Sequence, residues 1–220
     1  MSSFVLKIIG MISMLIDHIG FVFYDTLPLR IIGRLAFPIF AFQSVIGFEH
    51  TSNKKKHFLK LFLFGLISQI PFSLLYIITK QPMMINVMFT ILLGLLSIYT
   101  FETFENKING FIAVFLISII GEALRVDYGL FGILTIFFFY YFKESKVKSC
   151  VAFSLLFILR FILYIIYVDT IDYLFILLAT LAALIPICLY NNKEGRKSKY
   201  LFYVFYPLHM IILYLIYLFK

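Results

Sequence analysis

Polar residues divide this chain into about nine apolar segments, each of roughly 15–22 residues, near the ~20 that a helix needs to cross a hydrocarbon core. They fall at 4–24, 27–48, 58–78, 85–101, 109–124, 128–142, 150–168, 171–190 and 200–219. The runs are continuous, without the period of two of a membrane β-barrel, whose strands alternate over ~10 residues. The pattern predicts an all-α, polytopic membrane helix bundle forming a single domain over 1–220. The fifth and sixth segments are short, and Gly121, Gly129 and Gly132 offer places to bend or break that pair. The first segment is too long for a signal-peptide core and lacks a small-residue cleavage site, so it is expected to remain as a span.

Composition supports lipid as the solvent. Of 220 residues, 63% are hydrophobic and 14% charged, with a mean hydropathy of +1.02; soluble domains run nearer half apolar and a quarter charged. The net charge of +8 sits in short loops, where it reads as a topology signal rather than a nucleic-acid surface. Lys54–Lys56, the group Lys143, Lys146 and Lys148, and the group Lys193, Arg196, Lys197 and Lys199 lie on one side if every segment crosses. That side is expected to be the cytoplasm, with the N-terminus inside and the turn holding Asp169 and Asp172 outside. The loop with Glu102, Glu105 and Lys107 fits less well. Cys150 and Cys188, near expected cytoplasmic helix ends, should be free thiols. The expected location is the cell membrane, as a multi-pass protein.

Against this apolar background a few polar residues stand out. Asp17 and His18 are adjacent inside the first span, and ionisable groups at such depth cost several kcal/mol unless they have a partner or a task. Asp17 and Arg34 each lie roughly 10 Å from the same end of two spans joined by a short turn, at ~1.5 Å per residue. An Asp17–Arg34 ion pair follows from that geometry. It could lock two helices or belong to a site; both readings stay open. Gly10, Ser13, Asp17, Gly20 and Tyr24, spaced 3, 4, 3 and 4, form one small-residue face against which another helix can pack closely. His18 is turned by about 100° from Asp17 and needs a different partner.

Other candidates follow. Asn86, Thr90, Gly94 and Ser97 share a face of the fourth span, either as a packing seam or as part of a polar cavity. Glu122 and Arg125 form an i,i+3 pair with Asp127 and Tyr128 just beyond. Arg160 has no acid near it in sequence, and a buried arginine suits a phosphate or carboxylate. Tyr206-Pro207-Leu208-His209 puts proline in a helix interior beside a histidine, which suggests a cavity. No phosphate loop, HExxH, CxxC or GxSxG is present, and the histidines do not show metal spacing.

The segments around these residues resemble the TraX family of membrane proteins. The resemblance is carried by Leu6-Lys7-Ile8-Ile9 through Asp17-His18-Ile19-Gly20, Ile32-Gly33-Arg34-Leu35-Ala36-Phe37-Pro38-Ile39-Phe40 and Gly47-Phe48-Glu49-His50-Thr51. It continues in Asn86-Val87-Met88-Phe89-Thr90, Asp127-Tyr128-Gly129 and Phe205-Tyr206-Pro207-Leu208-His209. Residues 143–199 match in hydropathy alone, so Arg160 is outside it. TraX is associated with N-terminal acetylation of conjugative pilin and looks related to transmembrane acyltransferases. The resemblance therefore implies transfer from acetyl-CoA or another acyl-CoA to an amine or hydroxyl on a pilin-like or cell-envelope acceptor, with no metal and no nucleic acid. His18, or second His209, would be the general base. Asn86, Arg34 or Tyr206 would face the oxyanion, and Asp17 would fix Arg34. Glu122, Arg125, Asp127, Tyr128 and Arg160 are candidates for holding substrate. The rival readings are a proton-coupled transporter, in which the same polar groups form a relay, and a membrane assembly factor without enzymatic activity.

Overall fold

The computed structural model describes residues 1–24, 26–166, 172–196 and 200–220. Asp169, Lys197 and Lys199, which entered the orientation argument, lie outside the described residues. The protein is an all-α membrane helix bundle. α1 (Ser3–Ile19) runs on into a π-helical turn over Gly20–Tyr24, followed by α2 (Leu27–Gly33) and α3 (Ala36–Glu49). Then come α4 (Lys54–Ile78), α5 (Val87–Thr103), α6 (Lys107–Ala123), α7 (Gly129–Tyr141) and α8 (Lys146–Ile165). α9 (Asp172–Ala182), α10 (Leu184–Cys188) and α11 (Leu201–Leu218) complete the chain. Joining α1 to its π turn, α2 to α3 and α9 to α10 gives one helical stretch for each apolar segment read from the sequence.

Five stretches among the described residues are long and apolar enough to cross a membrane: Ser3–Tyr24, Leu27–Glu49, Lys54–Ile78, Lys146–Ile165 and Leu201–Leu218. α7, with 13 residues, reaches about 20 Å at 1.5 Å per residue and falls short of a ~30 Å hydrocarbon core. Large apolar side chains stay uncovered along whole helix faces. On α6 they include Ile108, Ile112, Phe115, Leu116 and Ile120, each more than half exposed. A water-facing patch of that kind would aggregate, whereas lipid covers it without cost.

The chain divides into two compact units. The first comprises Met1–Gln43, Ile70–Met83 and Phe157–Lys220; the second comprises Ser44–Gln69 and Met84–Leu156. In the first, α1 packs along α2 and α11. Its start is tied down by main-chain bonds from Ser3 N to Lys193 O (2.8 Å) and Phe4 N to Glu194 O (3.0 Å). In the second, α5, α6 and α7 pack on one another. The seam expected on α5 is a packing seam: Gly94 lies so close to Ile136 that an added methyl would sit 2.6 Å from its Cδ1, and Thr90 and Ser97 are fully buried.

Candidate functional site

The small-residue face of α1 decides what the first unit can build. Gly10 meets Phe40 and Ile39, and Gly20 meets Leu29. Between them, Ser13 Oγ donates to the Ile32 carbonyl at 2.6 Å. Asp17 lies directly on Gly33, where a Cβ would fall 2.2 Å from Asp17 Oδ1. Close approach of the two backbones brings α2's cations to the carboxylate. Arg34 Nη2 donates to Asp17 Oδ1 at 2.6 Å, and Arg30 Nη1 stands 3.3 Å from Oδ2. Arg34 Nε also donates to the Arg30 carbonyl at 3.2 Å, which fixes the guanidinium plane. One carboxylate thus serves two arginines, leaving the cluster with one positive charge in excess.

His18 points elsewhere, as the helical rotation requires. Its Nδ1 is 2.7 Å from Nε2 of His209, a bond between residues 191 positions apart. The other ring nitrogen of His209, Nδ1, is 2.7 Å from the Phe205 carbonyl one turn back on α11. A carbonyl only accepts, so His209 Nδ1 carries the proton. With both rings neutral, His209 Nε2 is then the acceptor and His18 Nδ1 the donor. This leaves the lone pair on His18 Nε2, which has no hydrogen-bond partner among the described residues. The sequence of bonds, carbonyl to His209 to His18, sets the tautomer of each ring. Phe205 stacks on His209 with centroids 4.7 Å apart and planes 11° apart. Tyr206, 1% exposed, lies on the same turn. Pro207 supplies no N–H to this part of α11.

Beyond His18 the helix widens into the π turn, a distortion found often at functional sites. A cavity of about 470 Å³ opens there, lined by Phe21, Tyr24, Arg30, Thr79 and Gln81 among others. Arg30 lies 5.3 Å from the centre of the Phe21 ring, so it joins the Asp17 cluster to the cavity wall. Arg30 and the cavity were not singled out from the sequence. The available signal was the four-residue spacing of Arg30 and Arg34, which puts both on one face of a helix.

The remaining candidates lie in other places. Arg160 belongs to the first unit and sits 5.9 Å above the Phe157 ring of its own helix. Asn86, Glu122, Arg125, Asp127 and Tyr128 belong to the second unit. Asn86 is fully buried as the N-cap of α5, accepting from Met88 N at 3.0 Å. Both its amide hydrogens are taken, by Gly65 O at 2.9 Å and Gln69 Oε1 at 2.8 Å. No N–H is left over for an oxyanion. The Glu122–Arg125 pair is not formed. Arg125 leaves the helix with φ of 56°, and the Glu122 carboxylate accepts from Leu130 N at 2.8 Å, capping α7. Asp127 N donates to Ile85 O at 2.7 Å, and Tyr128 takes φ of 66° in the same turn.

The family profile described as "TraX protein" matches residues 2–217. The chain belongs to the TraX family. It is 32% identical over 152 residues to an uncharacterized protein of Rickettsia prowazekii, an alignment covering 66% of this chain and 58% of that protein. It is 30% identical over 165 residues to a Dichelobacter nodosus protein of serogroup H1 named "Probable fimbrial assembly protein FimC", covering 67% of this chain and 66% of the relative. The matches thus span less than two thirds of either relative's own length. No solved structure matches the chain. The family match reaches from the Asp17–His18 pair to His209, so the elements that build the histidine pair and the arginine cluster all fall within it.

Proposed function

We propose that this TraX-family chain is a multi-pass protein of the cell membrane that transfers an acyl group, acetyl by preference, from acyl-CoA to an amine or hydroxyl of an envelope acceptor. The observation that carries the reading is the oriented pair of histidines, which presents an uncommitted imidazole lone pair at His18 Nε2. An amine or hydroxyl attacking a thioester must lose a proton as the new bond forms, and imidazole suits that task. In the proposed step the acceptor's N or O bonds to the thioester carbon while its proton passes to His18 Nε2. The C–S bond then breaks, and the departing thiolate takes that proton, restoring the neutral ring. His209 holds His18 in the productive tautomer. Arg34, fixed by Asp17, and the hydroxyl of Tyr206 are the proposed donors to the oxyanion.

The relative named as a fimbrial assembly protein supports an acceptor of the pilin type. The basic loops around Lys54–Lys56 and at Lys143, Lys146 and Lys148 support a cytoplasmic N-terminus. The test uses purified protein in lipid nanodiscs with labelled acetyl-CoA. Label transfer to an envelope acceptor, or slow release of CoA, is expected from the wild type. Both should vanish in His18→Ala while circular dichroism keeps its helical signal. Full turnover in both His18→Ala and His209→Ala would refute the assignment, and solute counter-flow in liposomes without CoA release would favour a transporter.

A further inference from the structure

The cavity beside the π turn has a lining whose chemistry is selective. Its cation is Arg30, whose side chain is 30% exposed and makes one ionic contact, at 3.3 Å to Asp17 Oδ2. Arg34 holds the other carboxylate oxygen at the shorter distance of 2.6 Å. The charge of Asp17 is therefore already paired through Oδ1, and Arg30 holds the second oxygen at the longer distance. A guanidinium offers five N–H donors in a planar fork, and most of Arg30's are uncommitted. The walls add aromatic surface in Phe21, over which Arg30 is stacked, and in Tyr24. The Gln81 carboxamide, exposed on the α4 side, offers further N–H donors. The Lys220 ammonium lies 5.6 Å from the Phe23 ring and 5.8 Å from that of Tyr24, two of the residues that line the cavity.

We propose that this cavity is an oxyanion-recognition site, in which Arg30 takes a phosphate or carboxylate carried by the acceptor and Phe21 and Tyr24 support the apolar part next to it. The planar fork matches such groups in bidentate fashion. The site rests on the acyl-transfer reading for its purpose, because it would set an acceptor near the Asp17–His18 turn. Its existence is testable apart from that reading. The excess positive charge of the Asp17–Arg30–Arg34 cluster then has a purpose: a bound anion neutralises it, and only an anionic acceptor gains from doing so.

Binding is measured by ligand-observed NMR on the full chain in phosphatidylcholine nanodiscs, with phenyl phosphate and phenylacetate as probes and benzyl alcohol as the neutral control. Both anions are expected to bind. Arg30→Gln should weaken them about tenfold or more, as loss of a charge-assisted bidentate contact does, and leave benzyl alcohol unchanged. Gln81→Ala, outside the ion-pair cluster, should weaken the anions about threefold, the size of one neutral hydrogen bond. Anion binding should also fall with added salt, whereas that of benzyl alcohol should not. Phenyl phosphate bound equally well by wild type and Arg30→Gln, or binding insensitive to both Gln81→Ala and salt, would overturn the proposal. Displacement of phenyl phosphate on adding phosphatidylglycerol identifies a lipid headgroup as the anion's source; no displacement identifies a soluble or peptide acceptor. His18→Ala should abolish acyl transfer and keep probe binding. Turnover in His18→Ala therefore defeats the catalytic reading alone, and unchanged binding in Arg30→Gln defeats this one alone.

Discussion

The two arginines that share Asp17 should differ sharply in what they contribute to stability. Arg34 makes the 2.6 Å contact and is 18% exposed, whereas Arg30 stands at 3.3 Å and is 30% exposed. Replacing Asp17 by Ala leaves two cations without a counter-charge in a mostly buried setting. Breaking a buried pair in this way costs about 3–5 kcal/mol. Arg34→Gln removes a hydrogen bond between charged groups, worth about 1.5–3 kcal/mol, and leaves Asp17 the weaker partner. Arg30→Gln should cost no more than about 0.5–1 kcal/mol, the range of a solvent-screened pair. Reversible unfolding by SDS titration in mixed micelles, followed by circular dichroism, would rank the three. The double variant Asp17→Leu with Arg34→Leu should lose less than the sum of the two single substitutions, since only Arg30, the more exposed of the two cations, is then left without its counter-charge. Equal losses for Arg30→Gln and Arg34→Gln, or an Asp17→Ala variant as stable as wild type, would refute the hierarchy.

The same unfolding assay checks three further substitutions. Gly33→Ala would set a methyl 2.2 Å from Asp17 Oδ1, so it should cost about 1–3 kcal/mol by overpacking. Asn86→Ala removes an N-cap and the side-chain donor to the Gly65 carbonyl, while Gln69 Oε1 keeps the main-chain N–H of residue 86, for a combined loss of about 2–4 kcal/mol. Gly129→Ala should be worse than Glu122→Gln. The glycine has φ of 49° and no room for a Cβ beside the Glu122 carboxylate, giving about 1–3 kcal/mol of strain. A glutamine oxygen can still accept from Leu130 N and should lose only about 0.5 kcal/mol.

The apolar segments were legible because lipid demands continuous runs, and each run became a helix at nearly the expected bounds. The Asp17–Arg34 pair was legible for a local reason: a short turn makes its two helices neighbours. His18 and His209 were each visible as costly groups in apolar surroundings, but nothing local says that positions 191 apart share a hydrogen bond. Arg30 could have been found from its spacing to Arg34, yet it lies nearer the helix end, where a cation draws no attention. Asn86 carries a clearer signal as a helix cap than as an oxyanion donor. An asparagine immediately before an apolar helix is first an N-cap, and here that demand and the bonds to α4 use up its side chain. Glu122 and Arg125 share the i,i+3 spacing of a helical pair, but the helix ends between them. The left-handed conformation of Arg125 takes it away from the carboxylate.

The account turns on which nitrogen of His18 is free. Nitrogen-15 NMR of the histidine-labelled protein, with the four histidines distinguished by single substitutions, reads the tautomers directly. His18 and His209 should both carry their proton on Nδ1, and the His18 signal should change its hydrogen-bonding signature when His209 is replaced by Ala. A proton found on His18 Nε2, with Nδ1 bearing the lone pair, would remove the proposed base and contradict the account.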